Sequence, residues 1–483
     1  MAIFNRVFNT PVHLSNHPAL KDSGQTIEYA DLVDIVKFTA SRLISMGYRT
    51  ADKILVLLPN CQEFVVSFFA ISYFGGIVVL ADTKLNEELI GIIDENNIKL
   101  IITNSECASK IERIKVQTGY DEIHVVDIEN SELFSKEAGF NTNDIPKTGT
   151  IDIEADAPAL ILYTSGSTGK PKGVINTHRT LEAALENYQN TLPITYTDKL
   201  VAVTPFFHSY ALGSCMLAGL ASGATLLLQE SFQPRKILKL ITEERATIFH
   251  GVPYMYNLLN QQINSGEYST NSIKFCISAG APLSADVANN FYSLTCKTIH
   301  QEYGSSETGT IAISLDEDPD VNVKSVGKPL NGVEVKVERE NEDDAGVIYI
   351  RSPGHSIGYV GSEPFTRDWY ATGDLGMIDD HGRIHILGRT KRLINVAGLK
   401  VNPAELEKHL LKHKGIGDVL VRGAKHEDFG EIVEALIIRC DESITEEQII
   451  KFCQQHFAAY KIPKRIIWVD SLPKSGTGKT LNI

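Results

Sequence analysis

The stretch that decides the fold runs from Ala159 to Gly173 and reads ALILYTSGSTGKPKG. Its first four residues are apolar, as in a short buried strand. The glycines, hydroxyls and two lysines that follow suit a polyphosphate, because backbone N–H groups, hydroxyls and ammonium groups all bind its oxygens. The spacing G-x-x-G-K lacks two residues of a Walker A loop, so a P-loop NTPase is not predicted. A plain Ser/Gly surface turn is the alternative, which the two lysines disfavour.

On both sides of this stretch, short apolar runs alternate with helical patterns. Strands are predicted at 54–58, 77–80, 100–102, 226–228, 248–249 and 275–278, and a helix at 63–74. Strands that alternate with helices indicate parallel βαβ units.

The pattern changes towards the C-terminus. Beyond about Gly327, alternating strands at 333–337 and 346–351 are typical of an antiparallel sheet or barrel. Further along, helices are predicted at 403–412 and 445–457, and strands at 418–423 and 433–439. These elements predict a small α+β domain at the C-terminus.

Composition limits the class of protein. The chain has 483 residues, 43% hydrophobic and 22% charged, which is the balance of a globular protein with a sizeable core. Its net charge of −14 disfavours a nucleic-acid partner. The 7 cysteines form no C-x-x-C pair, which favours reduced thiols over disulfides or zinc. Because we find neither a signal peptide nor an apolar run long enough for a membrane span, we expect a cytoplasmic protein.

Further motifs follow the loop at 163–173 in a fixed order. They are Phe207-His208-Ser209, Gly280-Ala281-Pro282, YGSSETG from Tyr303, YATGD from Tyr370, GRTKR from Gly388, GLKVNPAE from Gly398, and Gly478-Lys479. This series resembles the adenylate-forming superfamily of acyl-CoA synthetases, peptide-synthetase adenylation domains and firefly luciferase, and is closest to free-standing acyl- or aryl-acid ligases. The resemblance covers nearly the whole chain.

The resemblance implies an α/β fold with two domains. Residues 1–388 would form a large N-terminal domain of parallel α/β sheets with a small β-barrel-like subdomain. Residues 389–392 would be a hinge, and residues 393–483 a small, mobile α+β C-terminal domain.

The resemblance also implies a two-step reaction. A carboxylate is a poor acyl donor because its leaving group would be oxide. Attack of the carboxylate on the α-phosphorus of ATP gives an acyl-adenylate and pyrophosphate, and a thiol then displaces AMP. The protein must hold two anions together and stabilise the charge of the transition state. We therefore expect an acid–thiol ligase that uses ATP and Mg²⁺.

Family roles carry over to the residues of the N-terminal motifs. Residues 164–172 would cover the β- and γ-phosphates, and Tyr303 would stack on adenine. Ser306 would bind the α-phosphate, and Glu307 and Thr164 would hold Mg²⁺.

Other roles fall on the later motifs. Asp374 would accept hydrogen bonds from the ribose hydroxyls, and Arg389 would reach the same ribose. Lys479 would bridge the carboxylate and the α-phosphate as a point charge. Lys391 occupies the hinge, and Gly398 would face the incoming pantetheine thiol after the domain rotates.

The predicted sets are as follows. The catalytic residues are Thr164, His208, Glu307 and Lys479. The ATP-binding residues are Thr164, Ser165, Gly166, Ser167, Thr168, Gly169, Lys170, Lys172, Gly280, Ala281, Pro282, Glu302, Tyr303, Gly304, Ser305, Ser306, Asp374, Ile386, Arg389, Lys391 and Lys479. The acid pocket is lined by His208, Ser209, Tyr210, Gly213, Ile277, Ala279, Gly280, Glu302, Thr310 and Ile311.

Two pocket positions bear on the substrate. The α-amino-acid branch of the family has an aspartate just after the position of His208, and here that residue is Ser209, which disfavours a standard α-amino acid. Glu302 is unusual, because a carboxylate inside such a pocket needs a partner. Either it faces a substrate that carries an amine or hydroxyl away from its carboxylate, or it turns aside to pair with a nearby Lys or Arg.

The thiol is expected to come from another molecule, because the motifs leave no carrier-protein region. CoA is the favoured acceptor for a free-standing enzyme with His208, and the pantetheine arm of a carrier protein is the alternative. A non-catalytic nucleotide-binding relative and a luciferase-like oxygenase are alternatives of another class. Glu307, Asp374 and Lys479 argue against the non-catalytic alternative.

Overall fold

The computed structural model describes residues 3–8, 14–22, 24–134, 153–164, 171–263, 268–339, 345–366, 368–396, 399–426 and 430–472. The chain divides into two compact units. The first comprises Met1–Glu334 and Arg351–Asp368, and the second Val335–Ile350 and Trp369–Ile483. The predicted hinge at 389–392 falls within the range of the second unit, and the predicted domain boundary at 388 stays a prediction.

Helices and strands alternate through most of the chain. The α-helices are α1 Ile3–Phe8, α2 Tyr29–Ser45, α3 Gln62–Tyr73, α4 Glu88–Asn96, α5 Ser105–Thr118, α6 His178–Gln189, α7 Ala218–Ala221, α8 Pro234–Glu244, α9 Pro253–Ile263, α10 Ala285–Thr295, α11 Pro319–Lys324, α12 Pro403–Leu410 and α13 Glu446–Gln454. A π-helix spans Ala211–Leu217. By the hydropathy and charge of their residues, the described helices include none that is both long and apolar enough to cross a bilayer.

The strands in chain order are β1 Pro18–Asp22, β2 Gln25–Glu28, β3 Lys53–Leu57, β4 Ile77–Leu80, β5 Leu100–Thr103, β6 His124–Asp127, β7 Pro158–Thr164, β8 Lys172–Thr177, β9 Lys199–Ala202, β10 Thr225–Leu228, β11 Ile248–Gly251, β12 Phe275–Ser278, β13 Ile299–Ser305, β14 Gly309–Ile313, β15 Lys328–Pro329, β16 Glu334–Glu338, β17 Gly346–Arg351, β18 Gly358–Tyr359, β19 Tyr370–Ile378, β20 Ile384–Arg389, β21 Ile394–Val396, β22 Leu399–Val401, β23 Ile416–His426, β24 Gly430–Arg439 and β25 Arg465–Trp468. The sequence-predicted strands at 77–80 and 275–278 are confirmed without a shift, and most other boundaries differ by only a few residues.

The first unit contains two mainly parallel sheets. One has the order β18-β8-β7-β4-β3-β5-β6. In this sheet, each neighbouring pair from β7 through β4, β3 and β5 to β6 is parallel. The other has the order β15-β14-β13-β12-β11-β9-β10-β1-β2, with β13 to β1 parallel. This confirms the βαβ units predicted from the sequence. Because parallel strands end at a common edge, the turns after β9, β11, β12 and β13 are brought together along one sheet.

Apolar side chains between strands and helices form the core of each sheet. In the seven-stranded sheet, Leu55, Val79 and Ile101 are fully buried with Ile93 of α4 and Ile111 of α5. Each such burial contributes roughly 1.5–3 kcal/mol. These layers fix the strand ends from which the site residues project.

Helix α6 shows how local sequence positions one of these residues. It begins at a capping box in which the Thr177 hydroxyl accepts from the Thr180 N–H and the Thr180 hydroxyl accepts from the Thr177 N–H. Leu181, Leu185 and Tyr188 then recur on its buried face at helical spacing. Tyr188 is therefore held inside the first unit.

The second unit contains two antiparallel sheets. A four-stranded sheet has the order β16-β17-β19-β20, and a further sheet has the order β22-β21-β24-β23 with β25 parallel to β24. Helices α12 and α13 cover the latter sheet through Leu406, Leu410 and Ile449, which are fully buried. The alternating pattern after Gly327 and the α+β character of the C-terminal region are confirmed.

Candidate active site

Two antiparallel strands flank the phosphate-loop motif along the sequence. Thr164, the last residue of β7, is the register partner of Lys172, the first residue of β8. A Cβ at Gly173 would lie 2.8 Å from the ring of Tyr163, so this position has room only for glycine. The loop residues Ser165, Gly166, Ser167, Thr168, Gly169 and Lys170 lie outside the described residues. The strands thus fix the two ends of the predicted phosphate loop.

Glu307 lies in the turn between β13 and β14, and Tyr359 holds it there. The Tyr359 hydroxyl donates to Glu307 Oε1 at 2.7 Å, and the Ser356 N–H donates to the Glu307 carbonyl at 2.8 Å. The Lys172 ammonium lies 5.1 Å from the centre of the same Tyr359 ring. Tyr359 therefore joins a predicted phosphate ligand to the predicted metal ligand.

The surroundings of Glu307 are compatible with a hard cation. Its Oε2 accepts no hydrogen bond from any described residue, which leaves a carboxylate oxygen free. Across the described ranges, no three His, Cys, Asp or Glu side chains form a ready-made metal cluster. A Mg²⁺ ion commonly uses one or two carboxylates and completes its coordination with phosphate oxygens and water.

The motif before Glu307 links the predicted nucleotide and acid residues. Tyr303 is half-buried on β13 opposite Ala312 of β14. A Cβ at Gly304 would lie 2.3 Å from the carbonyl oxygen of Gly309, so the strands can approach here only with glycine. The Ser306 hydroxyl donates to the Ser209 hydroxyl at 3.2 Å. The Ser305 N–H donates to Thr308, which closes the turn.

His208 lies on the segment that follows β9, and Asn60 fixes that segment. The Asn60 amide donates to the carbonyls of Ala202 and Thr204 and accepts from the Phe206 N–H at 2.9 Å. Burial lowers the pKa of His208, opposed by the charge of Asp82, so its imidazole is neutral at pH 7. A neutral imidazole beside a carboxylate can donate one hydrogen bond without adding charge.

A π-helix follows His208 and carries the predicted pocket residues. The Leu212 N–H donates to the His208 carbonyl, and the turns widen over the 7 residues from Ala211 to Leu217. Such π-helical turns occur frequently at functional sites. A Cβ at Gly213 would meet no heavy atom within 4 Å, so open space lies beside it.

Glu302 is buried among hydroxyl groups. It is 6% exposed, and its Oε1 accepts from the Ser214 and Thr310 hydroxyls, each at 2.6 Å. Its Oε2 accepts from the Tyr188 hydroxyl at 3.3 Å, and that hydroxyl lies 3.4 Å from Nε2 of His250. Among the described residues no lysine or arginine pairs with Glu302, and its partners there are hydroxyl groups. We call Tyr188, Ser214, His250, Glu302 and Thr310 the Glu302 network.

Burial dominates the electrostatics of this network. Desolvation raises the pKa of Glu302 to about 7, although the three hydroxyl donors act in the opposite direction. Desolvation also lowers the pKa of His250 to about 3, so this histidine is neutral at pH 7. The Glu302 carboxyl can therefore change its charge near neutral pH while its histidine neighbour does not.

The other predicted pocket residues form apolar or open surroundings. Ile277, Ala279 and Ile311 are buried, and the Tyr210 hydroxyl donates to the Ile277 carbonyl at 3.1 Å. Gly280 is exposed with φ +83°, a left-handed conformation that favours glycine in the turn formed with Ala281 and Pro282.

The second unit holds the predicted ribose ligands as an ion pair. Asp374 on β19 and Arg389 on β20 are register partners, and Arg389 Nε lies 2.7 Å from Asp374 Oδ1. Asp374 is 4% exposed, and its backbone N–H donates to the Thr372 hydroxyl. Ile386 is half-buried on β20, and Lys391 lies in the short 3₁₀ helix Thr390–Arg392. Lys479 and Gly398 fall outside the described residues.

Sequence reasoning missed Tyr188, Ser214, His250 and Tyr359. His250 could have been identified from the sequence, because it is a histidine inside the otherwise apolar strand Ile248–Gly251. The others are ordinary in their local sequence. Only the fold brings them to Glu302 and Glu307.

Comparison with known proteins agrees with this geometry. The profile of the AMP-binding enzyme family matches residues 9–360, and that of the AMP-binding enzyme C-terminal domain matches residues 405–479. Long-chain-fatty-acid–CoA ligase FadD13 of Mycobacterium tuberculosis is 29% identical over 94% of this chain and 91% of its own. 4-Coumarate–CoA ligase 1 of Arabidopsis thaliana is 30% identical over 100% of this chain and 91% of its own. ATP-bound MatB from Rhodopseudomonas palustris superposes with a TM-score of 0.87 at 29% identity, covering 99% and 97% of the two chains. The chain therefore belongs to the family of AMP-binding, adenylate-forming enzymes.

Proposed function

We propose that this enzyme is an AMP-forming acid–CoA ligase. It activates a carboxylic acid with ATP, releases pyrophosphate and transfers the acyl group to CoA. The observation that carries the proposal is that relatives named as acid–CoA ligases match more than nine-tenths of both chains. The ordered motifs of both compact units support the same reaction.

The first unit supplies the phosphate and adenine contacts in this proposal. Residues 164–172 bind the β- and γ-phosphates, Ser306 binds the α-phosphate, and Tyr303 stacks on adenine. Glu307, oriented by Tyr359, holds Mg²⁺ with Thr164. When bound, Mg²⁺ neutralises phosphate charge as the α-phosphorus is attacked.

The ribose contacts are assigned to the motifs YATGD and GRTKR. Asp374 accepts from the ribose hydroxyls, and Arg389, its ion-pair partner, reaches the same sugar. Lys479 bridges the carboxylate and the α-phosphate during adenylation. The hinge at 389–392 then lets the C-terminal domain withdraw Lys479 and present Gly398 to the thiol.

His208 orients the acid for the first step. Its neutral imidazole donates to the carboxylate without lowering the nucleophilicity of that group as a full positive charge would. The acid itself lies along Tyr210, Gly213, Ile277 and Thr310. Because Ser209 offers no charge for an α-ammonium group, standard α-amino acids are poor substrates.

The cytoplasm is the compartment we propose for this reaction. All 7 cysteines are free, which fits a reducing compartment.

The test is an acid panel scored first by ATP–pyrophosphate exchange and then by thioester formation with CoA. We expect acid-dependent exchange, followed by a thioester and AMP. Pyrophosphate exchange without a CoA thioester, together with acylation of a carrier protein, would show that the pantetheine arm of the carrier protein is the acceptor. No exchange with any acid would favour a nucleotide-binding relative, and light emission with oxygen would identify an oxygenase.

A further inference from the structure

The chain buries its carboxylates in two different ways. Asp198, Glu302, Asp374 and Glu434 are the buried acidic side chains among the described residues. Three of them pair with a cation: Asp198 with Lys274 at 2.7 Å, Asp374 with Arg389 at 2.7 Å, and Glu434 with Arg422 at 2.7 Å and Arg465 at 2.9 Å. Glu302 has only hydroxyl partners within the described chain. A buried carboxylate without a cation is costly, so a ligand is the natural source of the missing charge.

The hydrogen bonds of Glu302 leave room for one more donor. A carboxylate has about four acceptor positions. Oε1 takes two short bonds from Ser214 and Thr310, whereas Oε2 takes one long bond from Tyr188. The second position on Oε2 is therefore available.

Tyr188 has one proton and two acceptors within reach. If it donates to Glu302, then His250 must donate from Nε2 to the Tyr188 oxygen. In that arrangement Nδ1 of His250 is a bare acceptor, and this buried atom has no hydrogen-bond partner. With Glu302 ionised, Oε2 of Glu302 and Nδ1 of His250 are therefore buried acceptors that still lack a donor. A ligand group that carries N–H donors would satisfy these acceptors.

We propose that the acid taken by this ligase carries a protonated amine at the end remote from its carboxyl group, and that Glu302 binds this amine. The inference rests on the proposed function and names the substrate class of the same pocket. The ammonium replaces the cation that the other buried carboxylates obtain from lysine or arginine. Glu302 is then the specificity-determining residue of the pocket.

The rest of the pocket suits such a molecule. Ser209, Tyr210 and Gly213 are partly exposed between His208 and Ser214, and Gly213 leaves open space beside its Cα. Ile277, Ala279 and Ile311 supply apolar surface for a hydrocarbon spacer. The acid group and the amine group would thus meet polar residues at opposite ends of an apolar segment.

The experiment compares acids matched in length and shape. Linear acids and substituted benzoic acids, each in a form ending in an aminomethyl, hydroxymethyl or ethyl group, are scored by kcat/KM in ATP–pyrophosphate exchange. Glu302→Gln keeps the shape and removes the charge. Glu244→Gln, on α8 and paired with Lys21, is the matched carboxyl-to-amide control. Thermal unfolding checks that each variant folds.

The wild-type enzyme is expected to prefer the amine form, and Glu302→Gln should lower kcat/KM for it roughly 10- to 100-fold. The ethyl form should change less than about threefold, and Glu244→Gln should change neither. A wild-type preference for the ethyl form, or equal losses for both forms in Glu302→Gln, overturns the inference and leaves the ligase assignment standing. Should Glu302→Gln fail to fold, the wild-type preference alone decides. Absence of exchange with every acid overturns the proposed function itself.

Discussion

Asp374 and Glu302 are both buried carboxylates at predicted binding positions, yet their surroundings differ. Asp374 has a guanidinium from the neighbouring strand at 2.7 Å, so its charge is matched by the fold itself. Glu302 has three neutral hydroxyls, and its charge depends on solvent pH and on what is bound. From this difference we infer that Asp374 serves the proposed ribose contact, which every turnover needs, whereas Glu302 serves the proposed choice of acid.

The largest expected effect is on Asp374. Asp374→Ala would remove both proposed hydrogen bonds to the ribose hydroxyls, each worth roughly 1.5–3 kcal/mol when the acceptor is charged. We expect kcat/KM for ATP to fall at least about 100-fold with every acid, measured by pyrophosphate exchange. Asp379→Asn, which changes a carboxylate paired with Arg383 on the same hairpin, is the control. A loss confined to some acids would contradict the contrast with Glu302.

The stability of the protein should reveal the charge of Glu302. Because burial raises its folded-state pKa to about 7, the native state holds a proton that the unfolded state releases from about pH 4.5 upwards. The contribution of Glu302 to the free energy of unfolding is therefore complete at low pH. It decreases by on the order of 3 kcal/mol as the pH rises towards 7. As the pH is raised from 5 to 8, the melting temperature of the wild type should decrease relative to that of Glu302→Gln.

The groups that face Glu302 do not titrate in this window. Burial raises the pKa values of Tyr188, Tyr210 and Cys215 and lowers that of His250 to about 3. If the difference in melting temperature between wild type and Glu302→Gln does not change with pH over this range, Glu302 has a cationic partner.

A smaller effect is expected for Tyr359→Phe. The change removes the hydroxyl that donates to Glu307 Oε1 and so loosens the predicted metal ligand. We expect the Mg²⁺ concentration for half-maximal pyrophosphate exchange to rise about tenfold, the value of one hydrogen bond to a charged group. Tyr48→Phe, which loses a hydroxyl bonded to His124, should not change it. An unchanged Mg²⁺ dependence in Tyr359→Phe would mean that Tyr359 does not orient the metal ligand.

The smallest expected effect is a shift in the pH dependence of kcat/KM, which tests the ionisation of Glu302. With an amine-bearing acid, kcat/KM should rise with pH through about 7, because only the ionised carboxylate pairs with the cation. Ser214→Ala removes a donor that favours the ionised form. The midpoint of the pH profile should therefore move up by roughly 0.5–1 unit, the value of one hydrogen bond of about 1 kcal/mol. A downward shift would contradict the assigned direction of this hydrogen bond.

The sequence predicted the framework of this fold well. Strands at 77–80 and 275–278 and the helix observed at Gln62–Tyr73 were readable because buried apolar runs end at glycines or polar turns. The order of the motifs predicted the family, because their residue types are required by one reaction.

The partners of Glu302 could not be predicted in the same way. Ser214 precedes it by 88 positions and Tyr188 by 114, so no local pattern relates them. From the sequence, an amine or hydroxyl of the substrate and a neighbouring lysine or arginine were both possible partners. The fold instead brings hydroxyls from α6, the π-helix and β14 to the same carboxylate, a solution that depends on long-range packing.

The π-helix at Ala211–Leu217 gives the pocket a simple route to new specificity. A π-turn contains more residues than an α-turn, so removing one residue can convert it to an α-turn. The helix on either side of the deletion would keep its direction, while the residues of the former π-turn would change the faces that they present. A single-codon deletion near Gly213 could thus exchange the side chains presented to the acid while β12, β13 and the ATP motifs keep their sequence. A change of length in this one helix is therefore a second way, besides substitution, to alter the residues that line the predicted acid pocket.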